Sequence, residues 1–123
     1  MALPNVQITA NVVAAMGNFK TVEALTINVG TVASVAAATT QEVTFSGLVT
    51  GLLAGDVILG VSKPSTQAGL GIAGYRVSTT AADTFFLTYI NATAAAIVPT
   101  ASEIYTITVG RYTSSNSGFT ALV

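Results

Sequence analysis

Short stretches in which apolar and polar residues alternate at every second position recur along this chain about every ten residues, with glycine or proline between them. A strand sends successive side chains to opposite faces, so such stretches can each bury one face. The strongest is Thr84–Asn91, T-F-F-L-T-Y-I-N. One of its faces carries Phe85, Leu87 and Tyr89, and the other Thr84, Phe86, Thr88 and Ile90. The second face still holds two large apolar groups, which predicts a central or half-covered strand. No segment of useful length has the helical period. The pattern predicts an all-β fold, an antiparallel β-sandwich or barrel-like domain.

Residues 1–20 lack sustained alternation and read as an N-terminal arm or edge segment, with a first short strand as the alternative. A β domain is expected over 21–112. Leu25, Ile27 and Val29 share a face, and Thr31–Ala36 reads as a second short strand before a loop or exposed edge at Ala36–Thr40. Val43 and Phe45 point inward, and so do Val57, Leu59 and Val61, until Lys63-Pro64 stops that strand. Gly69, Gly71 and Gly74 predict an irregular crossover before a short strand at Tyr75–Val77. In the last strand, ending at Tyr112, Tyr105, Ile107 and Val109 face in. The expected core is Leu25, Ile27, Phe45, Val57, Leu59, Phe85, Leu87, Tyr89, Ile107 and Val109. Residues 113–123 form a Ser/Gly-rich C-terminal tail ending in a small apolar hook.

Charge is the compositional outlier. Four basic and five acidic residues make nine in 123, against roughly a quarter of a typical soluble domain. A surface so poor in charge is either solubilised by hydroxyls and amides alone or covered in an assembly; we favour covering. The cations Lys20, Lys63, Arg76 and Arg111 are scattered, which argues against nucleic acid. No apolar run reaches the length of a membrane span. The N-terminus shows neither a basic leader nor a hydrophobic run of signal-peptide length, so synthesis in the cytoplasm is expected.

The absence of histidine and cysteine removes the commonest bases, nucleophiles and transition-metal ligands. The carboxylates Glu23, Glu42, Asp56, Asp83 and Glu103 fall at strand starts or turns and read as solvated or turn-capping groups. No loop holds the cluster of acids that calcium wants. Gly69–Gly74 spells G-x-G-x-x-G but is followed by a β-like segment, not the helix that dinucleotide binding requires. Asn91-Ala92-Thr93 matches a glycosylation sequon without a secretory signal. Tyr75, Tyr89, Tyr105 and Tyr112 read as strand tyrosines with wet hydroxyl ends, and a sugar-stacking platform is the alternative. The expectation is a non-enzymatic protein with no catalytic, cofactor-binding or metal residues.

The run from Gly55-Asp56-Val57 through Lys63-Pro64, the glycine-rich segment, Asp83-Thr84-Phe85 and Glu103-Ile104-Tyr105 to Arg111 resembles small β-sandwich structural proteins of tailed bacteriophages. It is similar in style to the decoration or cement proteins on the capsid shell. The likeness covers about half of the chain and is one of pattern, carrying no catalytic motif. It implies a virion structural protein on the capsid surface, whose partners are the major capsid protein and copies of itself. A homo-oligomer, in many such proteins a trimer, is implied by the resemblance alone. A fibre or adhesin-like carbohydrate-binding module is the alternative.

Overall fold

A computed structural model describes residues 19–112. The alternating segments form six strands: β1 (Phe19–Asn28), β2 (Thr39–Ser46), β3 (Val57–Ser62), β4 (Leu70–Val77), β5 (Thr84–Asn91) and β6 (Ile104–Tyr112). There is no helix among the described residues. The strands build two antiparallel three-stranded sheets, ordered β1-β6-β3 and β2-β5-β4, so the fold is the expected all-β sandwich. Phe19 and Lys20, placed in the arm on sequence grounds, belong to β1. The remainder of the expected arm and tail, 1–18 and 113–123, lies outside the described residues.

The two central strands supply the largest side chains of the core. Phe85, Leu87 and Tyr89 of β5 and Tyr105 and Ile107 of β6 are wholly buried, and Ile27, Phe45 and Val109 complete the layer between the sheets. Phe45 lies opposite Phe85 in the β2–β5 register, with the rings stacked 5.2 Å apart. The Tyr89 hydroxyl donates to that of Tyr105 at 3.1 Å, joining the two sheets by a polar contact inside the apolar layer. Burial, and then the bond to Tyr105, pushes the Tyr89 phenol well above its ordinary range.

Strand β3 corrects the expected core. Leu59 is 42% exposed, and the inward residue is Ile58. A bulge between Ile58 and Gly60 causes the switch: Ile58 faces Val109 and Val61 faces Ile107, while Leu59 is the extra residue. Val57 and Leu25 are only partly buried. The expected strand at Thr31–Ala36 is instead irregular, with one isolated β-bridge, Val35 to Ile97. It nonetheless buries Val32 and Val35.

The glycine-rich segment is also not a crossover, since Leu70–Val77 is continuous β4 with a bulge between Ile72 and Gly74. Only Gly69 needs to be glycine for its turn, at φ 81°, where a Cβ would collide with the Thr93 side chain. Asn91 ends β5 wholly buried, with its amide fully used. Its Nδ2 donates to the carbonyls of Val35 and Ala95, and its Oδ1 accepts from the backbone and hydroxyl of Thr93. The sequon asparagine is therefore a structural clamp on the 92–97 loop.

Because Phe85 has no exposure and stacks on Phe45, Phe85→Ala should cost about 3–5 kcal/mol in chemical denaturation. Leu59→Ala should cost under about 1 kcal/mol, as befits a solvent-facing bulge residue. Equal costs at the two sites would contradict the bulge.

Candidate functional site

All nine charged side chains lie within the described strands and loops, and seven of them are consumed there. Lys63, at the end of β3, meets Glu103 at 2.9 Å with both side chains nearly buried. Lys63 also donates to the backbone and hydroxyl of Ser65, tying the 63–65 turn to the start of β6. The Ser65 hydroxyl and then Lys63 hold the Glu103 carboxyl below its ordinary range. Asp83, in a left-handed conformation between β4 and β5, accepts hydrogen bonds from the amides of Gly51 and Leu52. It thereby latches the 47–56 connection to the β4–β5 turn, the capping role expected of an acid at that place.

Arg111, near the end of β6, donates from Nε to Asp56 Oδ1 at 2.8 Å and from one terminal nitrogen to Oδ2 at 2.7 Å. The same nitrogen reaches the Gly51 carbonyl, and Asp56 Oδ2 also accepts from the Leu53 amide. Asp56 is buried, and the Arg111 pair holds its carboxyl below the usual carboxylate range against the opposing effect of burial. This pair forms the wall of a cleft of about 240 Å³ at one end of the sandwich, where Thr21 and Glu23 of β1 face Val49–Leu52. The cleft brings together two of the sequence's carboxylates, Glu23 and Asp56. They do not make an acid–base pair, because both Asp56 oxygens are occupied by fixed donors. Glu23 remains exposed at the mouth, within the electrostatic reach of Arg111.

The outward faces of the two sheets differ in charge. On β2-β5-β4, Arg76 of β4 lies over the Phe86 ring at 3.8 Å and makes a two-pronged bond to Glu42 of β2. That face carries its own charged cover, although an exposed pair of this kind adds little stability. On β1-β6-β3, the outward row of β6 is Ile104, Thr106, Thr108, Gly110 and Tyr112. Its flanking partners are Val22, Ala24, Thr26 and Asn28 on β1 and Val57, Gly60 and Ser62 on β3. None of these is charged, although Lys20 is exposed at the β1 bulge between Phe19 and Thr21.

Gly110 makes room for an apolar corner on this face. A Cβ there would stand 2.7 Å from the Phe19 ring and 3.2 Å from Leu59, and Phe19 stacks on Tyr112 at 4.8 Å. The face was not legible in the sequence, because the bulge that turns Leu59 outward has no marker beyond Gly60.

The remaining sequence candidates are dispersed. Gly71 and Gly74 lie within β4, so G-x-G-x-x-G opens no helix. Tyr89 and Tyr105 are buried, while Tyr75 and Tyr112 sit on different sheets, so the four tyrosines share no platform. Among the described residues no three acidic side chains gather to hold a metal. Fold and site together define a six-stranded antiparallel sandwich that ties seven of its nine charged side chains into three ion pairs and one cap, two of the pairs and the cap at its loops and the third on a sheet face. Comparison with protein-family models, with curated proteins and with solved structures finds no match to this chain.

The depressed carboxyl of Asp56 carries a pH signature. Its contribution to stability is fully present above its ordinary value of 3.8 and is lost as the pH falls through the lower folded value. Asp56→Asn should lower stability at pH 7 by about 1–2 kcal/mol, discounted because Arg111 is partly exposed, and should flatten the acid limb of a melting-temperature profile. An unchanged acid limb would show that the pair contributes nothing.

Proposed function

We propose that this protein is a non-enzymatic structural protein that works by contact with its neighbours, a capsid decoration protein of the tailed-bacteriophage kind. The observation that carries the reading is the disposition of charge: three ion pairs and one capping carboxylate absorb seven of nine charged groups. Apart from the neutralised Arg76–Glu42 pair, Lys20 and Glu23, the exposed surface is mostly hydroxyl, amide and apolar groups, Leu53, Val98 and Ile104 among them. Such a surface is desolvated at low cost against another protein, because few ions must be stripped of water. An ordinary specific contact buries about 1,600 Å² in all, and repetition around a symmetric shell multiplies a modest affinity. The link to a phage head rests on the resemblance in sequence pattern; the contact function rests on the charge.

The test is to mix the protein with purified phage heads stripped of their decoration protein and to count bound copies by quantitative gel and cryo-electron microscopy. Stoichiometric, symmetry-related binding that raises the temperature of head disruption is the expected result. Binding only to glycans on an array, with none to heads, would replace this reading with that of a fibre or adhesin-like carbohydrate-binding module.

A further inference from the structure

We propose that residues 47–56 form a strap that acid releases as a unit, opening the cleft beside it while the six strands stay paired. The inference stands apart from the contact function and rests on how this one connection is fastened. The segment crosses from the end of β2 in one sheet to the start of β3 in the other. Among the described residues, all its hydrogen bonds to the rest of the chain run to two residues, Asp83 and Arg111. On one side, Asp83 Oδ1 accepts from the Gly51 amide at 2.7 Å and from the Leu52 amide at 3.0 Å. The Asp83 backbone adds one bond to Gly47 and one to Leu52. On the other side, Arg111 donates to the Gly51 carbonyl at 2.7 Å and grips both oxygens of Asp56. Gly51 is thus held from both sheets at once.

Packing adds little to these two points. Leu52 is the one buried apolar side chain of the strap, and Val49 is half-buried against the core. Leu48 and Leu53 are exposed. Gly47, Gly51 and Gly55 all hold left-handed φ angles, and a Cβ at any of them would meet nothing within 4 Å. These glycines therefore serve backbone shape, not close contact, and they supply swivels at the middle and both ends. A segment with few anchors and little buried surface opens more readily than the whole domain unfolds. Residues 49–52 of the strap form one wall of the 240 Å³ cleft, and Leu25 and Val109 stand across it. Lifting the strap uncovers both.

Each fastening depends on a carboxylate. A charged acceptor makes hydrogen bonds about twice as strong as a neutral one, so protonating Asp83 weakens both of its amide bonds. Protonating Asp56 removes the charge that holds Arg111 against the strap. The Arg111 pair keeps the Asp56 carboxyl below its ordinary range, so this fastening outlasts that of a free aspartate as the pH falls. The other charged side chain lining the cleft is Glu23 of β1, which lies within electrostatic reach of Arg111 and makes no bond to the strap. Glu103 pairs with Lys63 ahead of β6, at the opposite end of that strand from Arg111. The layer between the sheets has no such dependence. Phe85, Leu87 and Ile107, with the Tyr89–Tyr105 contact, hold it together without a carboxylate.

Amide hydrogen exchange of the full chain, followed residue by residue by NMR from about pH 6 to about pH 2.5, tests the strap. After correction for the intrinsic effect of pH on exchange, protection at Gly51, Leu52 and Leu53 should fall about tenfold or more in acid. The amides of β5 and β6 should keep theirs. Asp56→Asn combined with Asp83→Asn should produce the same loss at neutral pH, because each amide is a neutral copy of a protonated carboxyl. Glu42→Gln, at the exposed pair on the other sheet, should leave the strap protected at neutral pH. Circular dichroism checks that each variant folds, and the wild-type acid series decides the question even where the double variant does not. Loss of protection in strap and strands together would show ordinary global unfolding. Full protection of residues 51–53 in acid would show that packing, not carboxylates, holds the strap. Either result overturns the proposal.

Discussion

The sandwich depends on the meeting of its two central strands. β5 and β6 each lie between two neighbours, and their inward residues (Phe85, Leu87 and Tyr89 against Tyr105, Ile107 and Val109) fill the layer that holds the sheets together. The flanking strands contribute one or two buried groups apiece, such as Ile27, Phe45 and Ile58. The hydroxyl bond between Tyr89 and Tyr105 adds direction to an otherwise non-directional contact. A buried hydroxyl without a partner is costly, so alternative sheet pairings that separate the two are disfavoured.

With the core assembled from β5 and β6, the ends of the sandwich are closed by charge. Lys63–Glu103 fastens one turn, while Asp56–Arg111 and Asp83 fasten the 47–56 connection. Such partly buried, hydrogen-bonded ions hold loops in place more than they raise overall stability. Their consequence lies outside the fold: each charge tied to a loop is one fewer on the surface. A domain with the usual complement of ions could spare several for its loops and still repel its neighbours. This one retains only Lys20 and Glu23 beyond its ion pairs and its cap.

The sequence made the central strands legible because one face of each carries a large residue at every second position, Phe85, Leu87 and Tyr89 in one and Tyr105, Ile107 and Val109 in the other. It misled at β3, where a single extra residue inverts the faces and the alternation Val57, Leu59, Val61 points the wrong way. It misled again at β4, where Gly71 and Gly74 look like punctuation but sit in a strand beside Ile90 and Thr88. The buried valines at 32 and 35 escaped because an irregular segment has no period to read. The pairing of charges could not be read at all: Asp56 and Arg111 are 55 positions apart, and only the topology brings them together. The scarcity of charge was visible, but not its use.

The central claim is that association by this protein runs through uncharged surface, and ionic strength isolates that claim. Between about 0.01 M and about 1 M salt the screening length falls from about 30 Å to about 3 Å, removing most attraction between exposed charges. Counting the copies bound to stripped phage heads across that range measures the constant for the proposed association directly. The account predicts a constant that holds within about threefold or rises at high salt, as apolar burial does. A fall of about tenfold or more would show that the few remaining charges, not the uncharged surface, carry the contact.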